Sequence, residues 1–110
     1  MGLLTIGMIG LESEQEMLRY MVNTIQQQLN RVDREDVDAF HCFDKGETTA
    51  EEKMHFIKSA AEGKYICFVM PNKIIPVNLI IEALADIESG VYTDTELLLL
   101  KGIHRKPEIN

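Results

Sequence analysis

The run of apolar residues from Tyr65 to Met70, closed by Pro71, is the feature that most constrains the fold of this chain. Six apolar residues in succession are typical of a strand that is covered on both faces of a sheet. After a short loop, Pro76 predicts the first turn of a helix, because its fixed φ suits that position. We expect this helix to end at about Glu88, with Gly90 as its stop. A buried strand that feeds a helix indicates an α/β domain.

The same alternation of strand and helix occurs twice before this segment. Residues 3–9 and 37–43 predict two further strands, and residues 13–31 and 48–61 predict the helices that follow them. Ser13 with Glu16 has the pattern of a capping box, and a second box lies within Thr48–Glu52, where Thr48 and Thr49 give alternative registers. We expect Gln26–Gln28 on a helix surface. Strands joined in this way are parallel, with right-handed crossovers.

The C-terminal part of the chain is the least patterned. Residues 94–101 contain four consecutive leucines and predict either a last strand, which we favour, or a short helix capped by Asp94 or Thr95. Residues 104–110 are expected to form a frayed tail. The 110 residues therefore make a single α/β domain, built on a sheet of three to four strands.

Charge and composition exclude several functions. A net charge of -7 and a pI of about 4.9 argue against nucleic acid as a partner, since phosphate backbones require clustered lysine and arginine. No apolar run reaches membrane-spanning length, and the N-terminus lacks the basic start of a secretory signal, so we expect a cytoplasmic protein. Cys42 and Cys67 are expected to be buried free thiols. Their spacing, and that of the three histidines, predicts no metal site and no cofactor.

Two glycines, Gly7 and Gly10, stand where the first strand meets the first helix. Glycines there allow a ligand to approach the backbone, although the pattern is neither a dinucleotide-binding fingerprint nor a P-loop. Because Glu12 and Glu14 would oppose a phosphate, a neutral sugar or nucleoside edge suits this position better. The alternative is a tight strand-to-helix turn with no ligand.

The third helix carries polar residues along one face. Asn78, Glu82 and Asp86 are spaced at i, i+4 and i+8, and Glu82 is a candidate nucleophile or acid/base if it faces a cleft. A solvated helix surface is the alternative. The loop before this helix carries Asn72 where a phosphorelay receiver would carry its phosphoacceptor Asp, so phosphorelay is excluded.

Taken together, a glycine-containing turn, an apolar strand, a proline-containing loop and a helix bearing a glutamate resemble the nucleoside 2-deoxyribosyltransferase family. The resemblance implies a compact flavodoxin-like domain that cleaves or exchanges an N-glycosidic bond. It implies Glu82 as the nucleophile that attacks the anomeric carbon, Gly7 and Gly10 in the first turn, and Asp44 as a contact to the sugar. Leu84 stands where the family usually has a glycine.

We therefore expect a domain that binds a nucleoside or nucleotide-derived molecule at the carboxyl edge of its sheet, with N-glycosidic cleavage or transfer through Glu82. The expected ligand-binding residues are Gly7, Gly10, Asp44, Asn72 and Asn78. The alternative function is a non-enzymatic, flavodoxin-like assembly subunit. In either case a small sheet leaves apolar helix surface without a partner, which favours a homo-oligomer.

Overall fold

The computed structural model describes residues 2–71, 74–89 and 102–105 of the chain. Its elements, in chain order, are β1 (Gly2–Leu11), α1 (Gln15–Val32), β2 (Val37–Asp44), α2 (Ala50–Ala60), β3 (Gly63–Val69), α3 (Leu79–Glu88) and β4 (Ile103–Arg105). They form one sheet of order β2-β1-β3-β4, in which β1 pairs in parallel with β2 and β3. The predicted α/β fold with parallel strands at its centre is confirmed. The fourth strand differs, because β4 runs antiparallel to β3.

The helices cover opposite faces of the sheet. On one face α1 and α3 pack over Leu4, Ile6 and Met8 of β1, in a cluster that includes Ile25 and Ile80. On the other face α2 packs over β1 and β3 in a second cluster, made of Ile9, Ile57, Ala61 and Ile66. Since alternate residues of β1 face opposite clusters, both faces of the central strand are buried, as its apolar sequence predicts.

The order of the first three strands positions the functional edge. The chain passes from β1 to β2 on one side and then crosses back over β1 to reach β3, so the direction of connection reverses between β1 and β3. Flavodoxin-like folds share the order 2-1-3 for these strands and bind their ligands at the carboxyl ends beside this reversal. The loops after β1, β2 and β3 are therefore the ones that matter for a site.

The first helix does not have its predicted cap, whereas the second begins at one of its two predicted registers. Before α1, residues 12–14 form a short 3₁₀ turn, and Glu14, not Glu16, reaches back to accept a hydrogen bond from the Leu11 N–H at 3.0 Å. At α2 the second of the two predicted registers is present. The Thr49 hydroxyl accepts from the Glu52 N–H at 3.1 Å, and the Glu52 carboxylate accepts from the Thr49 N–H at 3.4 Å.

The third helix begins at Leu79, three residues later than the expected start at Pro76. Gln28 of α1, a residue that we expected on a helix surface, is in fact buried beside this start. Its side-chain amide donates to the Pro76 carbonyl at 2.8 Å and accepts from the Ile80 N–H at 3.0 Å. Arg31 also donates to the Val77 carbonyl at 3.0 Å. Contacts from α1 thus hold both the approach to α3 and its first turn.

The expectation of a frayed tail is wrong at His104 and Arg105. Both lie in β4, where they pair with Ile66 and Tyr65 of β3, so the edge of the sheet satisfies their backbone groups. Residues 106–110 lie outside the described part of the chain. So do Gly90 and the segment 94–101, for which we predicted a strand or a short helix. Over the described residues, none of the helices combines the length and the apolar character needed to cross a membrane.

Candidate functional site

A cavity whose lining combines three polar side chains with a larger area of apolar surface lies at the carboxyl ends of β1 and β3, beside the start of α2. Its volume is about 300 Å³, at the lower end of the range of small-molecule sites. We refer to it as the polar cavity, and its lining residues are Ile9, Gly10, Leu11, Glu14, Thr48, Ala50, Lys53, Met70 and Pro71. The cavity therefore occupies the position beside the connection reversal where flavodoxin-like folds bind ligands.

Lys53 is the buried charge of this cavity. Only 3% of the residue is exposed, and its ammonium contacts an Asp44 carboxylate oxygen at 2.9 Å and the Thr48 carbonyl at 2.8 Å. A buried ammonium is strongly unfavourable unless it is paired and hydrogen-bonded. Asp44 and Thr48 supply both conditions, so the loop between β2 and α2 is folded around the Lys53 side chain.

Asp44 is fully engaged in this loop. One carboxylate oxygen accepts from the Gly46 N–H at 3.0 Å, and the other accepts from the hydroxyl and the N–H of Thr48, at 2.5 and 3.2 Å. The hydrogen bond from the Thr48 hydroxyl and that from Lys53 hold the pKa of Asp44 well below its usual value, so the carboxylate is ionised at neutral pH. We expected Asp44 to meet a sugar directly, whereas the structure gives it the role of orienting Lys53 and Thr48, which do line the cavity.

The two predicted glycines have different surroundings. Gly7 lies inside β1 rather than in a turn, and a Cβ atom on it would come within 2.9 Å of Phe68 and 3.0 Å of Ile57. Its small size therefore permits α2 and the sheet to pack closely. Gly10 lines the polar cavity, and a Cβ atom there would overlap the Leu18 side chain. Of the two, only Gly10 belongs to the candidate site.

A second cavity, of about 340 Å³, lies beyond the end of β3. We refer to it as the apolar cavity, and its lining residues are Met54, Cys67, Phe68, Val69, Met70, Ile74, Ile75, Pro76, Leu79, Gly102 and His104. The rings of Phe68 and His104 meet edge to face, with centroids 5.0 Å apart. Partial burial, with repulsion from Lys58, lowers the pKa of His104, which favours the neutral imidazole at neutral pH. Met70 lines both this cavity and the polar one.

Glu82 lines neither the polar cavity nor the apolar cavity. It is exposed on α3 and lines a groove of about 470 Å³ together with Asp86, Ile103 and other residues of α3 and its approach. Cys67, Pro76 and Leu79 line both this groove and the apolar cavity, but no lining residue of the groove belongs to the polar cavity. A single pocket that joins Gly10 and Glu82 is therefore not found among these cavities.

The two remaining predicted ligand residues are Asn78 and Asn72. Asn78 occupies the N-cap position of α3, where its side chain is exposed and its carbonyl accepts from the Glu82 N–H at 2.9 Å. It is not part of the lining of the polar or the apolar cavity. Asn72 lies outside the described residues. The predicted site residues that the structure describes are thus divided between the sheet and the first turns of α3.

Lys53, Thr48 and Met70 are the cavity residues that the sequence reasoning missed. A signal for Lys53 was present, because it lies four residues before Ile57 and eight before Ala61, on the stripe of α2 that faces the sheet. A lysine on such a stripe indicates a buried charge that requires a partner. Asp44, at the end of the preceding strand, is that partner.

Metal-binding and redox chemistry find no support in the described residues. No group of three or more His, Cys, Asp or Glu side chains there is arranged to hold a metal ion. Cys42 and Cys67 are both free thiols, with Cys67 buried and Cys42 half-buried. Burial raises the pKa of the Cys67 thiol to about 11, so it stays protonated and behaves as a small apolar side chain.

Comparison of the chain with protein-family models, with curated proteins and with solved structures finds no match. The function therefore has to be argued from the two cavities and the Glu82 groove themselves.

Proposed function

We propose that the protein binds a nucleoside-like small molecule at the carboxyl edge of its sheet. The observation that carries the proposal is the pair of cavities that share Met70 as a lining residue, one of which includes Lys53, Glu14 and Thr48 and the other Phe68 and His104. A nucleoside has the same division, since its sugar is rich in hydroxyl groups and its base is a flat ring. Phe68 and His104 supply ring surfaces against which a base can pack.

Substitution of Met70 tests this proposal, because Met70 lines both cavities. We expect Met70→Arg to weaken binding of adenosine and uridine at least tenfold, since a long charged side chain would fill the junction. Isothermal titration calorimetry measures the affinity, and a thermal melt checks that the variant remains folded. Met17→Arg is the matched control, because Met17 is an exposed methionine on α1. Equal binding by wild type and Met70→Arg, or no binding by wild type, would contradict the proposal.

N-glycosidic chemistry through Glu82 is a second candidate function. It is favoured by the residues that the Glu82 groove shares with the apolar cavity, because a base held in that cavity would direct its sugar toward the groove. The Glu82 carboxylate would attack the anomeric carbon, the C–N bond would break, and the base would leave with the electron pair and take up a proton. Water would then hydrolyse the glycosyl ester. Such a ligand would lie away from Lys53, so the two candidates predict different orientations.

The non-enzymatic alternative is a subunit that assembles through its helices. Tyr20 and Met17 of α1 and Phe56 of α2 are exposed, at 57%, 44% and 54% respectively. Met17 and Tyr20 lie one turn apart on α1, and a shared apolar patch there favours a homo-oligomer, whereas Phe56 lies on the other face of the sheet. Met21, by contrast, is fully buried and belongs to the core. Sedimentation of the wild type beside Tyr20→Glu tests this assembly, and a monomer at high protein concentration would exclude it.

A further inference from the structure

The Lys53 ammonium has one donor for which the described residues provide no partner. A lysine carries three N–H donors. Within the described part of the chain, Lys53 uses two, one toward Asp44 at 2.9 Å and one toward the Thr48 carbonyl at 2.8 Å. The side chain also lines the polar cavity, so the third donor is available to an oxygen of a ligand there.

Glu14 supplies the complementary group in the same cavity. One of its carboxylate oxygens accepts from the Leu11 N–H at 3.0 Å, and the side chain as a whole lines the cavity. The second oxygen is an acceptor for a hydroxyl or amine of a ligand. The lining of the cavity thus includes one donor and one acceptor, beside the apolar side chains of Ile9, Met70 and Pro71.

The charges around the cavity disfavour an anion. Lys53 is neutralised by Asp44, and Glu14 is the other charged side chain among the described lining residues, so these residues give the lining one net negative charge. The start of α2 adds little attraction, because the Thr49 hydroxyl already accepts the Glu52 N–H. In addition, Glu51 and Glu52 lie in the first turn of α2, where their negative charges offset the positive potential at the helix N-terminus.

We infer that the polar cavity selects an uncharged ligand with a hydrogen-bond acceptor for Lys53 and a donor for Glu14, and that it discriminates against the phosphorylated form of the same ligand. A sugar ring meets these requirements, since its hydroxyl groups both donate and accept and its ring carbons pack on apolar side chains. This inference rests on the proposed function, because it assigns the sugar of the nucleoside-like ligand to the polar cavity.

The experiment compares D-ribose with D-ribose 5-phosphate as probes of the ¹⁵N-labelled protein. We expect ribose to shift the backbone amide resonances of Gly10, Thr48 and Lys53, and ribose 5-phosphate to require at least a tenfold higher concentration for the same shifts. Equal or tighter binding of the phosphate at these residues would overturn the inference, as would ribose that causes no shift at any of them.

Matched variants assign the two contacts. Glu14→Gln retains an acceptor for the Leu11 N–H but replaces the second oxygen with a donor, and we expect it to weaken ribose binding about fivefold relative to Glu12→Gln. Lys53→Met should weaken it at least tenfold relative to Lys64→Met, an exposed lysine of β3. Lys53→Met removes a buried partner of Asp44 and is therefore the variant at risk of not folding. If it does not fold, Glu14→Gln tests whether ribose binds in the polar cavity. Ribose affinity unchanged by Glu14→Gln would overturn the assigned role of Glu14.

Adenosine separates failure of this inference from failure of the proposed function. Shifts at Phe68 and His104 without a response at Gly10 and Lys53 would retain nucleoside binding in the apolar cavity and overturn the role given to the polar cavity. No adenosine-dependent shift at any of these residues would overturn both proposals. Shifts in both groups of residues are the expected result.

Discussion

Lys53 and Glu82 each occupy the fourth position of a helix, α2 and α3 respectively, and yet their surroundings are opposite. Lys53 lies on the stripe of α2 that faces the sheet and is buried with Asp44 as its partner. Glu82 lies outside the stripe of α3 that is buried, which consists of Ile80, Ala83 and Leu84, and it is exposed. The comparison teaches that the face a helix turns toward the sheet, rather than the position of a charge along it, decides which charge enters a cavity.

The starts of α2 and α3 also differ, because one is held by residues close in sequence and the other by a distant residue. The start of α2 is capped by its own neighbours in sequence, Thr49 and Glu52. The start of α3 is held by Gln28, which comes from another helix and lies more than fifty residues earlier than Ile80. The position of the α2 start, one turn before Lys53, therefore depends on residues close in sequence, whereas the position of Glu82 depends on tertiary contact with α1.

The largest effect is expected from Gln28→Leu, which removes the contact that holds the start of α3. The buried Ile80 N–H would lose its partner, whereas the Pro76 carbonyl would keep its hydrogen bond from the Leu79 N–H at 3.2 Å. Because an unsatisfied buried group costs about 1–3 kcal/mol, we expect the free energy of unfolding to fall by about 2 kcal/mol, measured by urea denaturation. Gln27→Leu, at an exposed position, should change it by less than about 0.5 kcal/mol. Similar values for both variants would show that the Gln28 contact does not stabilise α3.

An intermediate effect is expected from Asp44→Asn, and it should depend on pH. Because the pKa of Asp44 is lowered below its ordinary value of 3.8, the carboxylate stabilises the fold at pH values above about 4 and loses this contribution as the pH falls below it. The difference in unfolding free energy between wild type and Asp44→Asn should therefore be largest near pH 7 and shrink toward pH 2–3. Denaturation at a series of pH values measures this difference. A difference that is constant with pH would show that the Asp44 charge is not involved.

The smallest effect is expected from Glu82→Gln. Since Glu82 is exposed, the free energy of unfolding should change by less than about 0.5 kcal/mol. Nucleoside affinity should also be unchanged if the ligand binds with its sugar in the polar cavity. Chromatography of adenosine incubated with either form tests the catalytic candidate, with Glu62→Gln as an exposed control. Base release by wild type and by the control, but not by Glu82→Gln, would establish the chemistry at Glu82 and reverse the comparison with Lys53.

Several parts of the molecule were predictable because they depend on neighbours in sequence. The apolar runs identified β1, β2 and β3, and the order of strands and helices indicated their parallel pairing. The capping residues of α2 were found in one of two registers. Gly10, which we expected near a ligand because glycines at the end of a first strand let a ligand approach the backbone, does line the polar cavity.

The errors concern contacts between distant segments. Pro76 has the right local geometry to begin a helix, but the helix starts at Leu79, and the Pro76 carbonyl accepts from the distant Gln28 amide as well as from the Leu79 N–H. Gly7 was assigned to a turn because the length of β1 cannot be read from a glycine alone, and the pairing with β2 and β3 extends the strand to Leu11. His104 was assigned to a tail because the strand that it pairs with lies nearly forty residues earlier.

The sequence by itself determined the class of fold, since strand and helix periods follow from the pattern of apolar side chains along the chain. It also determined that Lys64–Asp86 would join a buried strand to a helix. Only the tertiary structure decided which charges line a cavity. The packing of α2 against the sheet buries Lys53 beside Asp44, and the packing of α3 against α1 leaves Glu82 at the surface. Burial of a charge depends on which partners the folded chain brings within hydrogen-bonding distance, and those partners come from different elements.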